Sequence, residues 1–231
     1  MINALLPPEN GVALAMANPL AQADQQVAAW FHTHLSEPFA TIVRALSEPG
    51  SGTWIGVVLG LAVIFLVWKR SWLALVTLVV AVPGGMWLNE LVKILVQRPR
   101  PYLTGAFVDW SGYSFASGHT IGATLLYGQL ALFLVPAIRN RLWKRCTIGV
   151  AGLTIGLVGF SRIALGAHYL TDVIAAIVFG ILWLAFCLVI SKPMRRGWPS
   201  STVFPRAIDE VLIAPVMVPV EQTESQPSRL S

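Results

Sequence analysis

The chain has 231 residues, of which 55% are hydrophobic and only 12% are charged, and its mean hydropathy is +0.68. Soluble globular domains carry about 25% charged residues, so this composition excludes an ordinary soluble domain and predicts an integral membrane protein. The formal net charge is +5. In a membrane protein such an excess collects in cytoplasmic loops, so the charge does not indicate a nucleic-acid partner.

The first 48 residues form an N-terminal segment without a clear span. Residues 1–23 are weakly apolar and interrupted by prolines, so they form at most a reduced first span. Apolar residues recur at helical spacing over 24–48 and predict an amphipathic helix, with Asp24 as its cap and a kink or a break at Pro38. This helix either lies along the membrane surface or packs as an ordinary helix of the bundle, and the pattern does not separate the two.

Five apolar segments between residues 49 and 191 are long enough to cross a hydrocarbon layer about 30 Å thick. They cover approximately residues 53–68, 72–96, 117–138, 146–163 and 170–190. Pro83-Gly84-Gly85 predicts a kink in the second. We therefore predict an all-α, polytopic transmembrane bundle of five spans. The tail 192–231 is rich in Pro, Ser and charge, and we expect it to be largely disordered.

Connectivity alone places several polar residues on one side of the membrane. The second span ends near Lys93, the third begins near His119, and the fourth and fifth meet near His168. The loops on the opposite side hold nine basic residues: Lys69, Arg70, Arg139, Arg141, Lys144, Arg145, Lys192, Arg195 and Arg196. Basic short loops are typical of the cytoplasmic side, so we expect the polar side to face outward and the C-terminus to be cytoplasmic.

Two histidines and one aspartate carry the chemistry of this polar side. His168 and Asp172 are spaced i, i+4, so Asp172 can accept a hydrogen bond from one imidazole nitrogen and leave the other basic. A His-Asp pair that merely pins two helices is the simpler interpretation. His119 is a second titrating group, and two histidines suggest a nucleophile and a general acid without indicating which is which.

Cations and a helix start complete the set of candidate residues. Phosphate oxygens match the side chains of Lys93, Arg100 and Arg162 and the helix start at Ser117 and Gly118. Two simpler interpretations compete: Glu90 can pair with Lys93, and Arg98 is best explained as a loop or headgroup contact. The set fits phosphoryl transfer. Because Asp172 is its only carboxylate, we predict no metal cofactor.

The segments that carry these residues resemble the signature of the type 2 phosphatidic acid phosphatase superfamily, also called lipid phosphate phosphatases. Three parts match: Lys93, six residues, then Arg100-Pro101; Ser117-Gly118-His119; and Ser161-Arg162 followed by His168 and Asp172. Ala116 replaces the proline that normally precedes Ser-Gly-His, which puts the stiffness of that loop in doubt. Bacterial members commonly have six spans, so the first is absent here or reduced to residues 1–23.

The resemblance implies a bacterial inner-membrane enzyme that hydrolyses a lipid phosphate or diphosphate without a metal. His168 is then the nucleophile that forms a phosphohistidine, Asp172 orients it, and His119 protonates the leaving oxygen. The phosphate is held by Lys93, Arg100, Ser117, Gly118 and Arg162. Candidate substrates are undecaprenyl diphosphate, phosphatidic acid and phosphatidylglycerol phosphate, and we rank the first highest because a small outward-facing enzyme suits carrier recycling.

A second class of function is a non-hydrolytic transporter or phospholipid-binding protein that uses the same residues as an anion pocket, since intramembrane charges also mark transport pathways. The His168-Asp172 pair together with His119 argues against it, because binding alone requires no nucleophile. The sequence does not indicate an oligomeric state.

Overall fold

The computed structural model of the chain describes residues 18–101 and 112–197. The expectations for a reduced span in the first 17 residues and for the tail beyond residue 197 lie outside the described residues. The α-helices of the described part are α1 Pro19–His34, α2 Phe39–Ser47, α3 Gly52–Trp68, α4 Trp72–Val79, α5 Gly85–Val96, α6 Gly118–Ala137, α7 Arg141–Ala164 and α8 Leu170–Gly197. A 3-10 turn, Glu48–Gly50, precedes α3, and a π-helical turn, Val80–Gly84, joins α4 to α5.

The predicted all-α transmembrane bundle is confirmed. Within residues 18–101 and 112–197, five helical stretches are long and apolar enough to cross a membrane: Phe39–Trp68, Trp72–Val96, Gly118–Ala137, Arg141–Ala164 and Leu170–Ser191. The first stretch is longer than predicted because it also includes α2 and the 3-10 turn that precede α3. Large apolar side chains remain on the outside, with exposed fractions of 63% for Leu61 and 67% for Ile64, as expected for faces that contact lipid.

Helix α6 is the centre of the bundle and packs against α7 and α8. Its residues Ile121, Leu125 and Leu126 are buried. Close approach depends on small residues, since a Cβ at Gly122 would collide with the Ile55 side chain. This packing fixes the N-terminal end of α6, where the candidate site begins, relative to its neighbours.

The segment Pro83-Gly84-Gly85, where the sequence predicts a kink, coincides with the π-helical turn. Proline lacks the amide hydrogen that a regular α-helix requires at that position, so the hydrogen-bond ladder changes there. Trp183 Nε1 donates to the Ala81 carbonyl at 3.0 Å and fastens the turn to α8.

The N-terminal segment forms two helices that meet around Pro38, so the proline breaks the helix as its position suggests. The prediction that Asp24 caps the helix is wrong. Helix α1 begins at Pro19, and the cap is Asn18, whose Oδ1 accepts the Leu20 amide at 3.0 Å. Asp24 lies inside α1 and is only 2% exposed. Helix α1 packs against α7 and α8, and α2 packs against α7, which favours the packed interpretation over a helix lying only on the membrane surface.

Candidate active site

The candidate residues lie at helix ends and loops of one end of the bundle. Lys93 is in the last turn of α5, Arg100 follows it, and His119 is in the first turn of α6. Arg162 is in the last turn of α7, and His168 precedes α8. The charges of Lys93, Arg100 and Arg162 all act on both His119 and His168, so the predicted residues come together in space.

His168 is 3% exposed, and its two ring nitrogens have different partners. Nδ1 lies 2.7 Å from the carbonyl oxygen of Ser114. A carbonyl oxygen can only accept, so Nδ1 carries the proton and Nε2 keeps its lone pair. Nε2 lies 3.3 Å from Arg100 Nη1, which donates to it. The structure therefore fixes one tautomer and directs the unprotonated nitrogen toward the cations.

The environment of His168 also keeps its imidazole neutral. Burial lowers the pKa of His168 well below its ordinary value of 6.5, and the nearby charges of Arg100, Arg162 and Lys93 lower it further. The hydrogen bond to the Ser114 carbonyl acts in the opposite direction but is the weaker influence. At neutral pH the lone pair on Nε2 is therefore available.

Asp172 does not form the expected direct hydrogen bond with His168. The distance from His168 Nδ1 to Asp172 Oδ2 is 3.9 Å, which is too long for one. Asp172 Oδ2 instead accepts from the Ser114 hydroxyl and from the Tyr169 amide, the latter at 3.0 Å. Ser114 thus links the pair, because its hydroxyl binds the carboxylate and its carbonyl binds the imidazole. Asp172 remains close enough to act on the ring electrostatically.

Each of the three cations is held by acceptors of the protein. Arg100 donates through Nη1 to the Ala167 carbonyl at 2.9 Å and through Nε to the Gly112 carbonyl at 3.1 Å. Arg162 is 3% exposed and donates through Nη1 to Ser47 Oγ at 2.8 Å. These contacts orient two guanidinium groups at the site before any substrate binds, which reduces the cost of ordering them on binding.

Lys93 forms the ion pair with Glu90 that the simpler interpretation predicts, and it also lies beside the start of α6. Its Nζ pairs with Glu90 Oε1 at 2.7 Å, and the lysine side chain is 14% exposed whereas that of Glu90 is 61% exposed. A Cβ added to Gly118 would stand only 3.2 Å from Lys93 Nζ. The lysine therefore pairs with a surface carboxylate and also faces the first residue of α6.

The N-terminus of α6 begins at the residues for which the sequence predicts anion binding. Ser117 occupies the N-cap position without a side-chain cap bond, and its hydroxyl accepts from Thr120 Oγ1 at 2.9 Å. Gly118 leaves the first turn without a side chain in the way, and the amides of a helix start attract phosphate. The preceding loop lacks the usual proline, but the Ala116 carbonyl accepts from Asn89 Nδ2 at 3.3 Å, which holds the loop against α5.

Sequence reasoning missed four residues that support the site. The interpretation of Arg98 as a loop or headgroup contact is wrong, because its guanidinium binds both Asp172 and Asp24. Its position two residues before Arg100 is the feature of the sequence that could have indicated a place near the site. Ser114 and Ser47 follow no pattern that distinguishes them from other serines, and Asp24 lies in a segment whose periodicity suggested only a cap.

A metal site is not formed by the described side chains. Within residues 18–101 and 112–197, no three His, Cys, Asp or Glu residues are grouped closely enough to hold a metal ion. Two of the carboxylates near the site, Asp24 and Asp172, share the single cation Arg98.

Comparison with curated proteins finds lipid phosphatases. Phosphatidylglycerophosphatase B of Bacillus subtilis (strain 168) is 33% identical over 129 residues, which cover 54% of this chain and 61% of that protein. Undecaprenyl-diphosphatase BcrC of the same strain is 32% identical over 113 residues, covering 45% of this chain and 52% of that protein. The chain therefore spans between half and two thirds of the length of these relatives.

The fold is also that of a solved structure, the transmembrane PAP2 type phosphatidylglycerolphosphate phosphatase from Bacillus subtilis. The TM-score is 0.70 at 23% identity, and the match covers 80% of this chain and 92% of that one. The family model described as PAP2 superfamily matches residues 72–196, which include all three signature segments and more than half of the chain. The protein is therefore a membrane protein that belongs to the PAP2 superfamily.

Proposed function

We propose that this protein is a membrane lipid phosphatase that hydrolyses a lipid phosphate or diphosphate through a phosphohistidine on His168. The observation that carries the proposal is the state of His168: it is buried, its Nδ1 proton is held by Ser114, and its Nε2 lone pair faces Arg100. An anion-binding pocket requires cations, but it does not require a neutral imidazole with a fixed tautomer. A nucleophile does.

In the first step, Nε2 of His168 attacks phosphorus while the bond from phosphorus to the lipid oxygen breaks. His119 donates its proton to that leaving oxygen, so the lipid departs as an alcohol or as a monophosphate. In the second step, His119 removes a proton from water, the water oxygen attacks phosphorus, and the phosphorus–nitrogen bond breaks. Inorganic phosphate leaves and His168 returns to its neutral form.

The cations stabilise the charge that spreads over the phosphoryl oxygens in both steps. These oxygens bind Lys93, Arg100 and Arg162, together with the Ser117 hydroxyl and the Gly118 amide. The three cationic side chains come from α5, the loop after α5 and α7, so they approach the oxygens from different parts of the chain. This arrangement restricts the phosphoryl group to a position in line with Nε2.

Ser114 and Asp172 stabilise the intermediate. The imidazole ring gains positive charge when Nε2 bonds to phosphorus, so its Nδ1–H donates more strongly to the Ser114 carbonyl. The carboxylate of Asp172, 3.9 Å from Nδ1, favours the same charged ring. Asp172 therefore acts on His168 through space and through Ser114.

The proposed substrate is a lipid that stays anchored in the bilayer while its headgroup enters the site. We rank undecaprenyl diphosphate before phosphatidic acid and phosphatidylglycerol phosphate. Support comes from the undecaprenyl-diphosphatase and the phosphatidylglycerophosphatase among the relatives. A membrane-anchored substrate is also supported by the five apolar helices among the described residues, since the candidate residues lie at the ends of these helices.

We propose that the site faces the periplasm of a bacterial inner membrane and that the C-terminus is cytoplasmic. The support is the basic residues at the opposite end of the bundle: Lys69 and Arg70 after α3, Arg139 between α6 and α7, and Lys144 and Arg145 near the start of α7. A reporter fused after Ser231 should give a cytoplasmic signal. A periplasmic signal would reverse the orientation.

The test is phosphate release from a panel of lipid phosphates in detergent. Wild type should hydrolyse at least one of the three candidates, and His168→Ala should lose about 10⁴-fold or more in kcat. His32→Ala, a change at an exposed histidine of α1, should retain wild-type activity. A rapid quench should trap an acid-labile, base-stable phosphoenzyme in wild type only. Activity that survives in His168→Ala would refute the nucleophile, and binding without turnover would support an anion pocket instead.

A further inference from the structure

Asp24 of α1 is a buried carboxylate that lies outside the segment matched by the family model. It is 2% exposed, and every partner of its side chain lies at or near the start of α8 or in the loop after α5. Asp24 Oδ1 accepts the Thr171 amide at 3.0 Å. Asp24 Oδ2 accepts from the Thr171 hydroxyl and from Arg98 Nη2, the latter at 2.8 Å.

Arg98 connects this carboxylate to the candidate active site. Its Nη1 donates to Asp172 Oδ1 and to Thr171 Oγ1, the latter at 2.8 Å. Its guanidinium carbon lies 4.2 Å from the centroid of the Tyr169 ring, which supports the planar group from one face. Gln25, the neighbour of Asp24, donates to the Tyr169 hydroxyl at 3.3 Å. Helix α1 therefore binds Arg98 directly through Asp24, and through Gln25 it binds the tyrosine on which the guanidinium packs.

We propose that Asp24 is a positioning residue for the reaction, acting through Arg98 on Asp172; this inference rests on the proposed phosphatase function. Two buried carboxylates share one guanidinium, so Arg98 neutralises neither completely. Asp172 thereby keeps negative charge for the His168 ring, which becomes cationic in the intermediate. Asp24 also binds the Thr171 amide, which sets the position of the adjacent Asp172 on α8.

The alternative is that Asp24 only docks α1 on the bundle. Asparagine separates the two roles because it has nearly the same shape but one acceptor oxygen instead of two. It can keep the Thr171 amide bond, whereas its NH₂ group then faces Arg98 in place of Oδ2. Arg98 would concentrate on Asp172 alone and reduce the negative charge available to His168.

The experiment measures kcat, KM and the inhibition constant of inorganic phosphate with a short-chain phosphatidic acid, using full-length protein in detergent. Asp24→Asn should lower kcat by about 10- to 100-fold, as for other groups that orient a catalytic residue from behind. KM and the phosphate inhibition constant should change by less than about twofold, because Asp24 is separated from the phosphate by Arg98 and Thr171. The thermal midpoint should stay within about 4 °C.

Two control variants belong to the same series. Glu37→Gln removes an exposed carboxylate of the N-terminal segment that pairs with Arg44, and it should leave kcat unchanged. Gln25→Ala removes a different side-chain hydrogen bond of α1, the one to the Tyr169 hydroxyl, without changing charge. If Gln25→Ala and Asp24→Asn lower kcat equally, docking of α1 explains both and the positioning role is overturned.

A double variant tests the route through Arg98. Asp24→Asn combined with Arg98→Gln should have the kcat of Arg98→Gln alone, because asparagine keeps the Thr171 amide bond and the substitution therefore acts only through the arginine. A further loss in the double variant would overturn that route. Should Asp24→Asn unfold, the double variant still decides the question, since it removes both charges together.

The outcomes separate this inference from the proposed function. If Asp24→Asn retains wild-type kcat while His168→Ala is inactive, the positioning role is wrong and the phosphatase function stands. If His168→Ala is active, or if wild type hydrolyses none of the lipid phosphates, the proposed function fails first.

Discussion

The N-terminal region, residues 18–50, and the family-matched region, residues 72–196, contribute to the same site in different ways. The matched region supplies every signature residue, including His119 and His168. The N-terminal region supplies none, yet Asp24 binds Arg98 and Ser47 binds Arg162. A region without a recognisable motif thus holds two of the arginines around a motif-bearing site. Supporting residues are set by packing, and they need not share the spacing of the residues that they support.

The largest expected loss of activity in this series is that of removing His119 from the matched region. His119→Ala should lower kcat by about 10²- to 10⁴-fold, because both the leaving oxygen and the attacking water lose their proton-transfer group. The loss in the first step should be smaller for an aryl phosphate, whose leaving group needs no proton, as measured by the burst of phenol release. An equal loss in the burst for both substrates would contradict the role of general acid.

Removing Ser47 should lower activity less, and it tests whether the N-terminal region contributes to the site through Arg162. Ser47→Ala deprives the buried Arg162 guanidinium of an acceptor, and a hydrogen bond to a charged group contributes about 1.5–3 kcal/mol. We therefore expect kcat/KM to fall by about 10- to 100-fold. Ser51→Ala is the matched control, since Ser51 caps α3 through the Trp54 amide. If both variants lose equal activity, the contact with Arg162 is not the cause.

The pH profile should show how burial and the cations of the family-matched region act on His168. Its pKa is lowered from 6.5 by burial and by neighbouring cations. The neutral nucleophile is therefore fully present above this lowered pKa and is lost as the pH falls through it. The acid limb of kcat/KM assigned to His168 should lie below pH 6.5. An acid limb at or above 6.5 that is insensitive to Arg100→Gln would contradict the assignment.

The smallest expected effect is that of metal removal. Phosphate release should continue in excess EDTA, because the proposed mechanism neutralises the phosphate with Lys93, Arg100 and Arg162. Loss of activity that magnesium restores would show that a carboxylate such as Asp172 has a different role.

Much of the bundle could be predicted because the membrane imposes simple requirements. Apolar stretches of sufficient length gave the five spans, and Pro83 and Pro38 marked where helices change or break. Parity of the connections then brought Lys93, His119 and His168 to one end. The contacts of Asp172 were not predictable in this way, because i, i+4 spacing gives a common face but does not exclude Ser114 as the nearer partner.

The sequence by itself determined that the chain spans a membrane, that its polar residues gather at one end, and that these residues match a phosphatase signature. These conclusions follow from hydropathy, helix length and spacing, which are local properties. Only the tertiary structure decided that Ser114 stands between His168 and Asp172, and that Asp24 and Ser47 hold Arg98 and Arg162. Those partners are separated by 54 to 115 residues in the sequence, and a buried polar group pairs with the partner that the packing of helices brings within reach.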